Sequence, residues 1–191
     1  LFYVDVEDFI GNIDATVDPD QPTTATGNVG PSVRYGLRMD ASTRLGYFNL
    51  PDAILSLNFG AFDSEITDPF LNIERRTGGR GFASMDFRHD LTDLRMNYGF
   101  EYRYPFWDGD PDIDANTITQ RFDQRTLNLF VEKIWFGDVI FRLESDNTLD
   151  ASRCRIRQRF TGGTWTGNLR VTEDSCSSRY RRFNFSVQTT F

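Results

Sequence analysis

Between Leu94 and Tyr104 the chain alternates without interruption, Leu94, Met96, Tyr98, Phe100, Tyr102 and Tyr104 being separated by Arg95, Asn97, Gly99, Glu101 and Arg103. Successive side chains of a β-strand point to opposite faces, so this spacing predicts a strand with one apolar and one polar side. Val33, Tyr35, Leu37, Met39, Ala41 and Leu45 oppose Arg34, Gly36, Arg38, Asp40, Ser42 and Arg44 in the same way. Leu55, Leu57, Phe59 and Ala61 oppose Ser56, Asn58 and Gly60, and Ala83, Met85 and Phe87 oppose Ser84, Asp86 and Arg88. Leu127, Leu129 and Val131 oppose Thr126, Asn128 and Glu132, while Phe130 breaks the rule as an aromatic on the polar side. Val139, Phe141 and Leu143 oppose Arg142, Glu144 and Asp146, and the chain ends with Phe183, Phe185, Val187, Thr189 and Phe191 against Asn184, Ser186, Gln188 and Thr190. With an opening segment around Phe2, Val4 and Val6, the pattern predicts about eight strands and no helix.

The connections alternate in length. Short turns fall at residues 47–52, 90–93 and 136–138, and long polar loops at 11–30, 67–80, 106–122 and 150–178. Short turns at one end and long loops at the other are the signature of an outer-membrane barrel. Aromatic side chains gather at predicted strand ends, Tyr47, Phe48, Trp135 and Phe136 beside short turns and Tyr104, Phe106 and Trp107 beside a long loop. Amphipathic rings favour a membrane–water interface, so they read as two girdles.

Composition narrows the picture. No run of about 18 apolar residues occurs, which rules out a spanning helix, whereas a spanning strand needs only about 9–11 alternating residues. A net charge of -7, with Lys133 the single lysine and His89 the single histidine, argues against nucleic-acid binding, which needs an excess of cations to neutralise phosphates. The start carries no basic segment followed by an apolar one, so no signal peptide is read there and an upstream portion is expected. The fold class expected is all-β, an antiparallel up-and-down transmembrane β-barrel, with Arg34, Arg38, Asp40, Arg88, Glu101 and Arg142 among the charges facing its interior.

Several stretches then resemble one family. Asn28-Val29-Gly30 through Arg34-Tyr35-Gly36-Leu37-Arg38-Met39-Asp40 is similar to an "NxG…xYGxExD" strand of TonB-dependent receptors, with Arg38 where the family often has Glu. Phe62 to Pro69 looks like the strand-to-loop junction that follows it, and Arg142 to Asp150 resembles the penultimate strand with its "NLxD" ending. Arg182 to Phe191 resembles the terminal strand, in which Phe183, Phe185, Val187 and Phe191 form the C-terminal signal read by the barrel-assembly machinery. The resemblance implies that residues 1–191 supply about eight C-terminal strands of a barrel of roughly twenty-two, filled by a plug domain absent here. It further implies the outer membrane of a Gram-negative bacterium, contact with lipid and lipopolysaccharide, the remaining strands, the plug and, through the plug, the TonB energy-coupling complex. Ferric siderophores are the commonest cargo implied, with cobalamin, haem and oligosaccharides as others.

Candidate chemistry is sparse. Cys154 and Cys176 flank the last long loop and suggest a structural disulfide in an oxidising envelope, against free thiols or a metal pair lacking further ligands. Residues 108–114 alternate carboxylates like a calcium loop, but Ile113 stands where the loop needs glycine and Thr119 where it needs glutamate, so a solvated acidic loop is the better reading. Arg153, Arg155, Arg157 and Arg159, with Arg179, Arg181 and Arg182 across the same loop, form a basic collar. Such a collar either keeps strand ends in water or contacts an anionic ligand or lipopolysaccharide phosphates through bidentate guanidiniums. No catalytic motif, cofactor or metal site is read, and His89 has the parity of the apolar face. Two rivals remain at this stage: a complete eight-stranded barrel, which requires the first and last strands to pair, and a soluble β-sandwich, which requires the apolar faces to meet.

Overall fold

The computed structural model describes residues 1–107 and 109–189. Thirteen strands follow one another: β1 (Phe2–Asp14), β2 (Thr24–Leu45), β3 (Leu50–Thr67), β4 (Glu74–Arg76), β5 (Arg80–Leu91), β6 (Met96–Trp107), β7 (Asp112–Ile113), β8 (Thr117–Asp123), β9 (Thr126–Trp135), β10 (Val139–Asp146), β11 (Ser152–Phe160), β12 (Leu169–Ser178) and β13 (Arg182–Gln188). All pairings are antiparallel. The principal sheet runs β1-β2-β3-β5-β6-β9-β10-β13, with β4 attached to β3, and a smaller sheet runs β12-β11-β8-β7. The chain is therefore all-β and up-and-down, and among the described residues the strands do not close into a barrel. Among the described residues β1 pairs with β2 alone and β13 with β10 alone, so the pairing that a complete eight-stranded barrel requires is missing.

Register keeps the faces distinct from β2 onwards, whereas in β1 the expected apolar set Phe2, Val4 and Val6 stands opposite Gly36, Arg34 and Ser32 on the polar face, with Asp5 opposite Val33 on the other, because the pairing with β2 and not the alternation of β1 alone decides which side faces which. Across the sheet Ala41 stands opposite Leu57, Leu57 opposite Met85, Met85 opposite Tyr102 and Tyr102 opposite Leu127. One step along, Asp40 meets Asn58, Asn58 meets Ser84, and Ser84 meets Arg103. A slip of one residue anywhere would exchange the two faces, which explains why the alternation is so consistent. The apolar face is open: Leu57 is 47% exposed, Leu143 48%, Met39 59% and Phe185 67%. No second sheet covers these rings, as a sandwich would demand.

The tight turns explain how the strands reverse. A 3-10 turn at Gly46–Phe48 ends on Asn49 at φ 57°, one at Thr92–Leu94 ends on Arg95 at φ 47°, and the third reversal uses Phe136 and Gly137 at φ 47° and 83°. Leu94 thus belongs to a turn, and the strand expected from that residue starts at Met96 and continues to Trp107. The left-handed backbone at Arg95 interrupts the pleat although the side-chain alternation does not.

Three expected loops are shorter than the sequence suggested. The connection within residues 11–30 contracts to 15–23, because β1 and β2 continue pairing out to Asp14 and Thr24. Residues 106–122 and 150–178 contain β7, β8, β11 and β12, which pair with each other above the long-loop end of the principal sheet. A small apolar cluster of Phe70, Ile113 and Ala115, with Leu71 and Ile118 beside it, forms among these outer segments. Asp68, fully buried, organises the connection between β3 and β4: it accepts from the Phe70 and Leu71 amides at 2.9 Å and pairs with Arg75 at 2.5 Å.

Candidate functional site: the charged face and its arginine-rich recess

The polar face of the principal sheet carries a connected set of charges. Arg142 lies 3.1 Å from Glu132 and 2.6 Å from Glu144, and the Asn97 amide donates to Glu132 at 2.9 Å. Asn128 donates to Glu101 at 3.2 Å, while Arg38 pairs with Asp40 and Arg88 with Asp90 within their own strands. A guanidinium placed between two carboxylates has its donors occupied and stays fixed.

Phe130, the aromatic on the polar side, has a structural reason to be there. It stands directly opposite Gly99, and a Cβ added at Gly99 would come within 2.7 Å of its ring. The same arrangement places the Phe82 ring over Gly60, its directly opposed cross-strand partner, and the Phe2 ring over Gly36. Each ring covers backbone that glycine leaves bare, and close approach is open only to glycine. The Arg142 guanidinium then sits 4.7 Å above the Phe130 ring centre, a cation–π contact.

Towards the outer loops, a concavity of about 700 Å3 opens between the polar face and the small sheet. Arg80, Arg103, Arg121, Arg153 and Arg179 line it, and Phe62, Phe82 and Trp107 supply its aromatic walls. Strand register accounts for the convergence: β11 alternates Arg153, Arg155, Arg157 and Arg159 with Cys154, Ile156, Gln158 and Phe160, so the four arginines share one face. Arg153 stands opposite Asp123, and Arg155 directly opposite Arg121. Arg153 pairs with Asp123 at 2.6 Å, Arg159 with Glu173 at 3.3 Å, and Arg121 with Asp112. The Asp123 carboxylate beside Arg153, by hydrogen bond and by charge, pushes its guanidinium pKa above the ordinary value.

The collar expected as loop ends is therefore a strand ladder, and its members separate. Arg153 reaches the recess, as does Arg179, whereas Arg182 lies 3.7 Å from Asp146 at the edge of the principal sheet and Arg181 is exposed in the turn between β12 and β13. Arg80 and Arg121 escaped the sequence reading of this site, since they come from segments far apart in the chain and only pairing brings them together. The period-two spacing of residues 153–160 was the available signal for the ladder.

Cys154 and Cys176 face each other across β11 and β12 and are bonded. The disulfide thus joins neighbouring strands of the small sheet, since the segment expected as a loop is a hairpin. His89 lies on the apolar face, buried, with Nδ1 3.1 Å from the Tyr98 hydroxyl and its ring against Phe87. Phe183, Phe185 and Val187 share the exposed apolar face of β13, and Phe191 lies outside the described residues. Within the carboxylate-rich stretch Asp108 also lies outside them; Asp112 pairs with Arg121, Asp114 receives a hydrogen bond from Asn12, and no metal-binding group of three or more acidic, histidine or cysteine side chains occurs among the described residues. No protein-family model matches the chain, and no curated protein or solved structure matches it.

Proposed function

We propose that this chain is one wall of a TonB-dependent transporter in the outer membrane of a Gram-negative bacterium, with hydrocarbon on its apolar face and a plug-filled, wet interior on its charged face. The observation that carries the proposal is an apolar face of Leu, Phe, Tyr and Met side chains left open over seven neighbouring strands of the principal sheet, β2 to β13. Soluble proteins seldom expose a contiguous apolar surface of that kind. On β3 the apolar run from Ala53 to Ala61 is nine residues long, within the about 9–11 residues that a tilted membrane-spanning strand needs. Above Leu37 and Ala61 the same face turns polar, where Tyr35 donates to Glu65 at 2.9 Å and Arg76 lies 3.4 Å from Asp63.

Lipid offers backbone groups no partners, so both open edges of the sheet need further strands in a membrane. In this proposal the rest of the barrel and the plug supply them, and the role of the chain is enclosure and cargo contact rather than catalysis. The motifs that resemble TonB-dependent receptors point to cargo such as a ferric siderophore, with energy coupling through the plug. Fractionation of cells expressing the complete gene tests the location, and uptake of a labelled ferric siderophore after gene deletion tests the role. Retention in carbonate-washed outer membranes and loss of uptake are expected; recovery of a folded monomer from detergent-free buffer would sink the membrane assignment.

A further inference from the structure

We infer that the recess between the charged face and the small sheet binds a small, soluble organic polyanion with planar carboxylate or phosphate groups. This rests on the membrane proposal only for which side of the sheet faces water. Among the described residues five arginines line the recess against one carboxylate, Asp123, which Arg153 already holds, although the whole chain carries a net charge of -7. Arg121 is also engaged, by Asp112. Arg80, Arg103 and Arg179 form no ion pair with any described residue. Arg103 has the Asp86 carboxylate in its neighbourhood, and guanidiniums gathered around one concavity favour an anion there.

Shape and composition set the ligand class. Guanidiniums match the planar fork of carboxylate or phosphate oxygens, and the Phe62, Phe82 and Trp107 walls favour a flat body against which charge is poorly hydrated. Phe62 and Phe82 meet edge to face at 6.4 Å and the Phe82 ring is held over Gly60, so that wall is formed in advance. About 700 Å3 suits a small molecule and excludes a folded macromolecule. A lipid phosphate has the same charge, but the recess opens on the polar face, opposite the side where lipid would lie.

Titration of the full chain in detergent micelles with benzene-1,3,5-tricarboxylate, followed by tryptophan fluorescence, tests this. Saturable binding that weakens with salt is expected, with no binding of the neutral 1,3,5-trimethanol analogue. Arg103→Gln and Arg179→Gln should each weaken binding roughly tenfold or more, and Arg38→Gln, elsewhere on the polar face, should leave it unchanged. Arg179→Lys should retain part of the affinity if a variant without charge folds poorly. The inference is overturned by no tricarboxylate binding to the unaltered chain at millimolar concentration, by equal binding of the neutral analogue, or by an equal loss in Arg38→Gln. Displacement by lipopolysaccharide vesicles but not by inorganic phosphate would assign the recess to a headgroup and overturn the soluble ligand. Because binding is read in micelles, its failure leaves the membrane assignment standing, and aqueous partition of the chain leaves the binding result standing.

Discussion

Replacing Leu57 by arginine separates a lipid-facing wall from a soluble sheet. Leu57 sits four residues from Ala53 and four from Ala61, at the centre of the apolar run of β3, between Ala41 and Met85 on the neighbouring strands. Its side chain is 47% exposed, so protein contacts alone predict a cost within about 0.5 kcal/mol for the change. In hydrocarbon the same arginine sits near the midplane and costs about 2–4 kcal/mol. The difference corresponds to a change of about tenfold or more in the folding equilibrium. Ser42→Arg is the control: Ser42 lies one level away on the polar face, where its hydroxyl is 3.0 Å from that of Ser56. Denaturant unfolding from phospholipid vesicles, read by the three tryptophans, gives both values under one condition. A Leu57→Arg cost no larger than that of Ser42→Arg would refute the assignment of this face to lipid.

Three further outcomes follow from local geometry. Phe130→Ala should cost about 2 kcal/mol in the same unfolding measurement, because it uncovers Gly99 and removes the ring beneath Arg142; Val17→Ala, in the exposed connection between β1 and β2, should cost little. Replacing Cys154 and Cys176 by serine releases a cross-link spanning 22 residues, worth about 3 kcal/mol by loop entropy, and should speed hydrogen exchange in β8, β11 and β12 while leaving the principal sheet unchanged. Arg75→Ala strands the buried Asp68 carboxylate and should cost about 3 kcal/mol, seen as faster proteolysis within residues 67–80, and Asp68→Asn should cost less because the amide carries no charge.

What local alternation could show and what it could not are both visible in particular residues. Leu57 and Met85, and likewise Asn58 and Ser84, ended on the faces their parity gave them, because a pleated strand alternates its side chains whatever it pairs with. The short reversals at residues 47–52, 90–93 and 136–138 were legible for a related reason, since each must join strands that are neighbours.

Other features depended on which segments meet. Residues 150–178 read as a polar loop because their apolar positions are few, yet Cys154 pairs with Cys176 and Arg155 with Arg121 once the two long connections lie side by side. Phe130 looked like an exception until Gly99 was placed opposite it. The arginine recess takes Arg80 from β5, Arg103 from β6, Arg121 from β8 and Arg179 from the turn before β13. Alternation is a property of one strand and is written in its own residues, but a recess is a property of several strands, and sequence spacing says nothing about which of them the register will bring together.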